Sequence, residues 1–236
     1  MSEWKARRFW KAADVVETPQ GFSVQLDGRP VKTPAKAALA LPSRALADRI
    51  AAEWQAQEDA IDPTSMPFMR TANSAIDKVA TQHGEVAQLL ADYGDSDLVC
   101  YRATSPVELV ERQAAVWDPM LDWAATRLDA RLEPRQGVIH DSQDPQALSR
   151  LSAQVAALSP FELAAFHDLV SLSGSLVLGF AAFLDAAATP EIWDMSRVDE
   201  DWQAEQWGLD DEAKAVADGK KVAFLHAKEF LDLVHG

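Results

Sequence analysis

The spacing of hydrophobic and polar residues changes once along this chain. Over residues 14–41, DVVETPQGFSVQLDGRPVKTPAKAALAL, apolar positions alternate at Phe22, Val24 and Leu26, resume at Val31, and run on through Leu39 and Leu41. A period of two marks strands that bury one face. Pro19-Gln20-Gly21 and Asp27-Gly28 supply turns. Pro30 and Pro34 suit edge positions, because proline lacks the N–H that a central strand must donate. A small antiparallel meander is predicted. At Pro42-Ser43 the period lengthens: Ser43 is a candidate N-cap, and Leu46, Ile50 and Trp54 recur every four residues as one helical stripe.

From there the pattern is helical. Residues 69–103 carry helical spacing, with interruptions expected at Gly84 and Gly94. The segment SPVELVERQAAVWDPMLDWAATRLDA opens with Ser105 as N-cap, Pro106 at the first helical position and Glu108 closing a capping box. RLEPRQGVI reads as a connector with a short extended piece. Further helices are predicted over 144–158, 159–187, 189–208 and 210–234. The expected fold class is α+β: residues 1–42 form a β-rich domain and residues 43–236 an all-helical one, with the 43–60 helix able to pack on the β domain.

Composition narrows the function. A chain of 236 residues with 48% hydrophobic content can bury a substantial core. Its most apolar run, SGSLVLGFAAFLDAAA, is broken by glycines and an aspartate, which suits a buried helix and not a membrane span. The start, MSEWKARRFWKAAD, has neither the apolar stretch of a secretory signal nor the acid-free character of a transit peptide, so a cytoplasmic location is expected. The single cysteine, Cys100, fits a reducing compartment. The net charge of −15 argues against nucleic acid or an anionic membrane as partner, since both require a basic footprint. That charge is uneven. Residues 1–50 carry nine Lys/Arg against five Asp/Glu, and the remainder thirteen against thirty-two.

Catalytic signatures are missing. The histidines His83, His140, His167, His226 and His235 are scattered without ligand spacing, so no metal site is expected. No serine-hydrolase elbow, phosphate loop or dinucleotide fingerprint occurs, and no cofactor is expected. Cys100, between apolar neighbours, reads as a small buried side chain rather than a nucleophile. The small residues of SGSLVLG, read as lying within a helix, favour close helix packing over a ligand cradle. Asp95 and Asp97 read as loop and helix caps. The enzymatic alternative uses them with Arg102 in a helical cleft. A helical adaptor for another protein partner is a third reading.

The most unusual stretch is VDEDWQAEQWGLDDEA, residues 198–213, in which two tryptophans stand among seven carboxylates. On a helix, Glu200, Gln203 and Trp207 share one face, while Val198, Trp202 and Gln206 share another. The first stripe combines an acid, an amide and an indole, a set that suits a protein partner, because tryptophan is enriched at binding hot spots. The alternative is that both indoles close the edge of the core and the acids are simply solvated. Periodicity leaves both open.

A resemblance bears on the choice. RFWK, LDGRPVKTP, EWQAQ with IDPTSMP, the N-x-AID helix start, DLVCYRA, GSLVLG and EDWQAEQWG, in this order from Arg8 toward the C terminus, resemble the chaperones that bind the free alpha subunit of the F-type ATP synthase head. The resemblance implies a small N-terminal β domain, a larger helical domain, and a non-enzymatic, ATP-independent role: covering the alpha subunit's interface until assembly. It implies partner contacts at Glu200, Gln203, Trp207 and Gly208, and at Trp54 and Gln57. Trp54 also has a structural reading, on the apolar stripe with Leu46 and Ile50. Mitochondrial members of that family begin with a targeting extension, so a bacterial, cytoplasmic version is expected.

Overall fold

The computed structural model describes residues 7–137 and 139–236. Strand β1 (Ala13–Thr18) pairs antiparallel with β2 (Gly21–Leu26), and β2 with the short β3 (Arg29–Pro30). The turns fall where Pro19-Gln20 and Asp27-Gly28 predict. Phe22 bridges onward to Leu41, so the returning run lies along β2 and buries Leu39 and Leu41 beside Val24 and Leu26. The fold is α+β as expected, with a small antiparallel sheet followed by mostly helical chain.

Two compact units emerge from the packing. The first comprises the chain up to His83, with Ser159–Ala165 and Glu229–Gly236; the second comprises Gly84–Leu158 and Phe166–Lys228. In the first, helix α1 (Arg44–Gln55) begins at Ser43, whose hydroxyl accepts from the Leu46 amide at 3.1 Å, as predicted. Leu46 and Ile50 are fully buried. Helix α2 (Pro67–Ser74) lacks a cap of its own. The buried carboxylate of Glu53 substitutes, accepting from the Phe68 and Met69 amides at 2.8 Å each. A π turn, Ala75–Val79, follows.

The second unit holds α3 (His83–Ala91, apart from its first residue), α4 (Val107–Arg127), α5 (Pro145–Ala156), most of α6 (Pro160–Ser173), α7 (Leu176–Phe183), α8 (Thr189–Met195), α9 (Val198–Trp207) and most of α10 (Asp211–His235). The apolar run is the buried α7, whose residues Leu176–Ala182 lie in the core. A Cβ on Gly179 would stand 2.6 Å from Val170 Cγ2, so the close-packing reading of this small residue holds. Among the described residues no helix is long and apolar enough to cross a membrane.

Four local expectations are corrected. Helix α4 starts at Val107; Pro106, with ψ of 165°, is extended and no side chain caps the helix, so Ser105 lies outside it. Gly84 lies inside α3, and the preceding break falls at residues 80–82. The stretch 159–187 is two helices, split at Gly174, whose φ of +71° a helix does not accommodate; Ser175 then caps α7 through the Leu178 amide. The stretch 189–208 is likewise split, at Ser196-Arg197, where the Ser196 hydroxyl donates to the Trp193 carbonyl at 2.6 Å. The helical region also contains one short parallel pairing, β4 (Tyr101–Arg102) with β5 (Arg135–Gln136), which places the extended piece expected in the connector.

Candidate functional site

Helix α9 separates its two predicted stripes over its first two turns, while Gln206, the last residue of the inward stripe, is exposed. Val198 is buried and Trp202 half-buried, with the Arg112 guanidinium 4.9 Å from the Trp202 ring. Arg112, on α4, also grips Glu205 through two bonds of 2.8 Å, an arrangement that holds the Glu205 carboxyl below its ordinary range. At the start of α9, Asp199 accepts from the Gln113 amide at 2.6 Å. These contacts fix the helix to α4 and turn its other stripe outward.

On that stripe Glu200 and Gln203 are exposed, and Trp207 is 79% exposed. The helix ends at Gly208, with φ of +93°, and the chain turns through Leu209, 61% exposed, into α10. The Asp210 carboxylate accepts from the Ala213 amide at 2.7 Å and so starts the new helix. A groove of about 520 Å³ results, lined by Glu200, Gln203, Trp207 and Gly208 together with Leu209 and Ala213. Sequence reasoning missed the α10 wall; Leu209, apolar and directly after Gly208, was its only local signal.

The groove's charges are largely matched within the molecule. Glu200 pairs with Arg197 at 2.7 Å, Asp218 pairs with Lys214, and Asp194 with Lys221 at 2.9 Å. Asp201 has no such ion pair among the described residues. Partial desolvation of this exposed residue, seconded by the neighbouring Asp194 and Glu205 carboxylates, holds its carboxyl above the ordinary range, against the pull of Arg197.

Trp54 and Gln57 lie in the first unit. Trp54 is half-buried and meets Trp10 edge-on at 5.2 Å. Gln57 is 4% exposed, and its amide is fully engaged: it donates to the Glu53 carbonyl and the Ser65 hydroxyl, and accepts from the Asp62 amide at 2.7 Å. In EWQAQ, therefore, Glu53 and Gln57 fasten α1 to the segment that follows it.

The groups of the enzymatic alternative are occupied in the fold. Asp97 has no exposed surface; its oxygens accept from the Val99 amide at 3.1 Å and the Val177 amide at 2.9 Å, and burial pushes its carboxyl up to about 6. Asp95 accepts from the Gln143 amide at 2.7 Å. Arg102 is buried against Trp117 and pairs with Asp118 at 2.8 Å. The capping reading of both aspartates describes these bonds. Cys100 is buried, and that burial pushes its thiol up. Among the described residues no cluster of three His, Cys, Asp or Glu is placed to hold a metal ion.

Comparison with known proteins identifies the family. Residues 7–125 match the family described as ATP12 chaperone protein. Atp12 of Paracoccus denitrificans superposes with a TM-score of 0.96 at 50% identity, over 98% of this chain and 100% of that one. A protein of Agrobacterium tumefaciens described as a candidate chaperone gives 0.89 at 39% identity, over 97% and 85% of the two chains. Mitochondrial protein atp12 of Schizosaccharomyces pombe is 24% identical over 223 residues, 89% of this chain and 76% of the relative. With half the chain matched to the family and a fold shared over nearly its whole length, this protein belongs to the ATP12 chaperones, a family of assembly factors and not of enzymes.

Proposed function

We propose that this chain is an ATP-independent holding chaperone that binds the unassembled alpha subunit of the F-type ATP synthase through the α9–α10 groove, and covers the surface a beta subunit later takes. ATP12 chaperones are assembly factors for that enzyme. The observation that carries the reading is Trp207, an indole left 79% exposed beside an acid and an amide on a helix whose opposite side is fixed to α4. Covering such a ring returns on the order of 3–5 kcal/mol of apolar transfer energy. Unassembled subunits expose apolar interface that otherwise self-associates, so a partner that supplies temporary cover has a clear physical use.

Within this reading Trp207 is the apolar anchor, Glu200 and Gln203 form the polar rim, and Gly208 sets the turn that opens the groove. Gln57, another proposed contact, acts at most through the shape of the first unit, since its amide is engaged within the fold, while the half-buried Trp54 stays a proposed contact of that unit.

Glu200→Lys is the test. It reverses a rim charge and replaces the Arg197 pair with repulsion; an exposed pair of this kind is worth about 0–1 kcal/mol, so the fold persists. Capture of unassembled alpha subunit falls about tenfold or more if that carboxylate meets a cation of the client. Full capture by a folded Glu200→Lys protein removes Glu200 from the interface; if Trp207→Ala also captures normally, the groove reading is wrong.

A further inference from the structure

The sequence signatures RFWK and LDGRPVKTP play no part in the groove, yet they meet at one corner of the N-terminal sheet. The Asp27 carboxylate accepts from the backbone amides of Ala12 and Lys11 at 2.9 and 3.0 Å, and these two bonds hold its carboxyl below the ordinary range. Arg8, just before, is spent on carbonyls, including those of Trp10 and Gln55 at 3.0 Å. With the segment fastened on both sides, Trp10 points into the core and Phe9 out of it, 62% exposed, with the Arg29 guanidinium 6.0 Å from its ring.

The charges here are arranged differently from those of the second unit. There, Arg112, Arg131, Arg150, Lys214 and Lys228 each hold a carboxylate. On the β segment, Arg7, Lys11, Arg29, Lys32 and Lys36 have no carboxylate within 4 Å among the described residues, although the chain carries 37 acids. At the corner itself Lys11 and Arg29 lie within electrostatic reach of the Asp27 carboxylate, so two cations stand against one anion there, with the Arg29 guanidinium facing the exposed Phe9 ring. Exposed phenylalanine beside arginine, in a surround of net positive charge, has the composition of a recognition surface.

We propose that the corner formed by Phe9, Lys11 and Arg29 is a second docking surface, and that its occupant is an acidic segment of the client carrying one apolar side chain. The apolar side chain covers Phe9, and the segment's carboxylates meet Arg29 and Lys11. The proposal rests on the client reading above but uses residues the groove does not. Opposite net charges at the two surfaces give each a different complement: the corner selects acidic chain, and the groove's Asp201, which closes no ion pair among the described residues, favours basic chain.

The test titrates purified, unassembled alpha subunit into wild type, Arg29→Glu, Arg29→Gln and Phe9→Ser, at about 0.05 M and about 0.5 M salt. Expected at low salt are a loss of about tenfold or more for Arg29→Glu, a smaller loss for Arg29→Gln, and about threefold or more for Phe9→Ser, with the arginine effects shrinking at high salt. Arg29 is exposed at a turn, so melting temperatures stay near wild type; if Arg29→Glu does not fold, Arg29→Gln decides. Failure of wild type to bind alpha subunit overturns the client reading. Wild-type binding with unchanged affinity in the folded variants overturns the corner alone. The corner proposal also falls if the variants alter only the molar mass of the free protein in light scattering, or only binding to vesicles of anionic lipid, because the occupant is then a second copy or a membrane.

Discussion

Replacing Asp97 by asparagine keeps the shape of a side chain with no exposed surface and removes its charge. Two effects compete at this position. Amides of Val99 and Val177 point at the carboxylate from the starts of helical turns and favour the ion, while burial disfavours it; burial prevails, leaving the native carboxyl at about 6. An unfolded aspartate titrates near 3.9. Between those values the native state holds a proton that the unfolded state has released, so this group's contribution is fully present below pH ~4 and is lost as pH rises through ~6. A gap of about 2 pH units, at ~1.4 kcal/mol per unit, makes that loss about 3 kcal/mol. Asparagine does not titrate. The protonated acid still accepts at both oxygens, whereas the asparagine amide nitrogen cannot accept from the second N–H, so the variant starts about 1–3 kcal/mol below wild type at pH ~4, an offset that does not change with pH. Between pH ~4 and pH ~7 that difference moves by about 3 kcal/mol in the variant's favour. Urea denaturation of both proteins at half-unit steps from pH 4 to 7.5 measures the difference, in which all other titrating groups cancel. A constant difference would refute the reasoning. So would a wild type that gains on the variant as pH rises, because the amides, and not burial, would then control the charge.

Gly179→Ala places a methyl 2.6 Å from the stiff Val170 side chain, and overpacking of this kind costs about 1–3 kcal/mol, read as a lower urea midpoint. Gly219→Ala acts in the opposite direction. This helix-interior glycine has open space where a methyl would stand, with no atom within 4 Å, and no positive φ, so alanine adds about 1 kcal/mol of stability and raises the melting temperature. Trp207→Ala leaves stability within about 0.5 kcal/mol, since the ring is largely exposed, and lowers capture of alpha subunit about tenfold or more in a pull-down.

Features governed by local chemistry were legible in the residue pattern: the sheet register follows from alternation and two turns, and Ser43 caps α1 because its hydroxyl needs only to reach three residues ahead. The two faces of α9 were legible for the same reason, since a 3.6-residue period separates Val198 and Trp202 from Glu200, Gln203 and Trp207 whatever lies beyond. Long-range events were not. Glu53 and Gln57 have the composition of surface residues, and only the approach of Phe68, Met69 and Asp62 gives them buried partners. The breaks at Gly174 and Ser196 each depend on a single local departure inside an otherwise continuous helical pattern. The β4–β5 pairing is two residues long on each side, too short for any period to register. The second wall of the groove depends on where α10 goes after Gly208, which no repeat encodes.

The lone cysteine gives this protein a clock of its own. Cys100 is buried with its thiol pushed up, so a thiol-specific reagent meets essentially no reactive sulfur in the closed molecule. Modification has to wait for an opening that bares this position, and when reclosing outpaces the reagent, the labelling rate is the rate at a free thiol multiplied by the open fraction. One mass measurement over time therefore converts into the free energy of opening around Cys100, with no engineered probe and no denaturant. Repeated in the presence of a bound partner, it separates a client that merely occupies the surface from one that also tightens the chaperone beneath it.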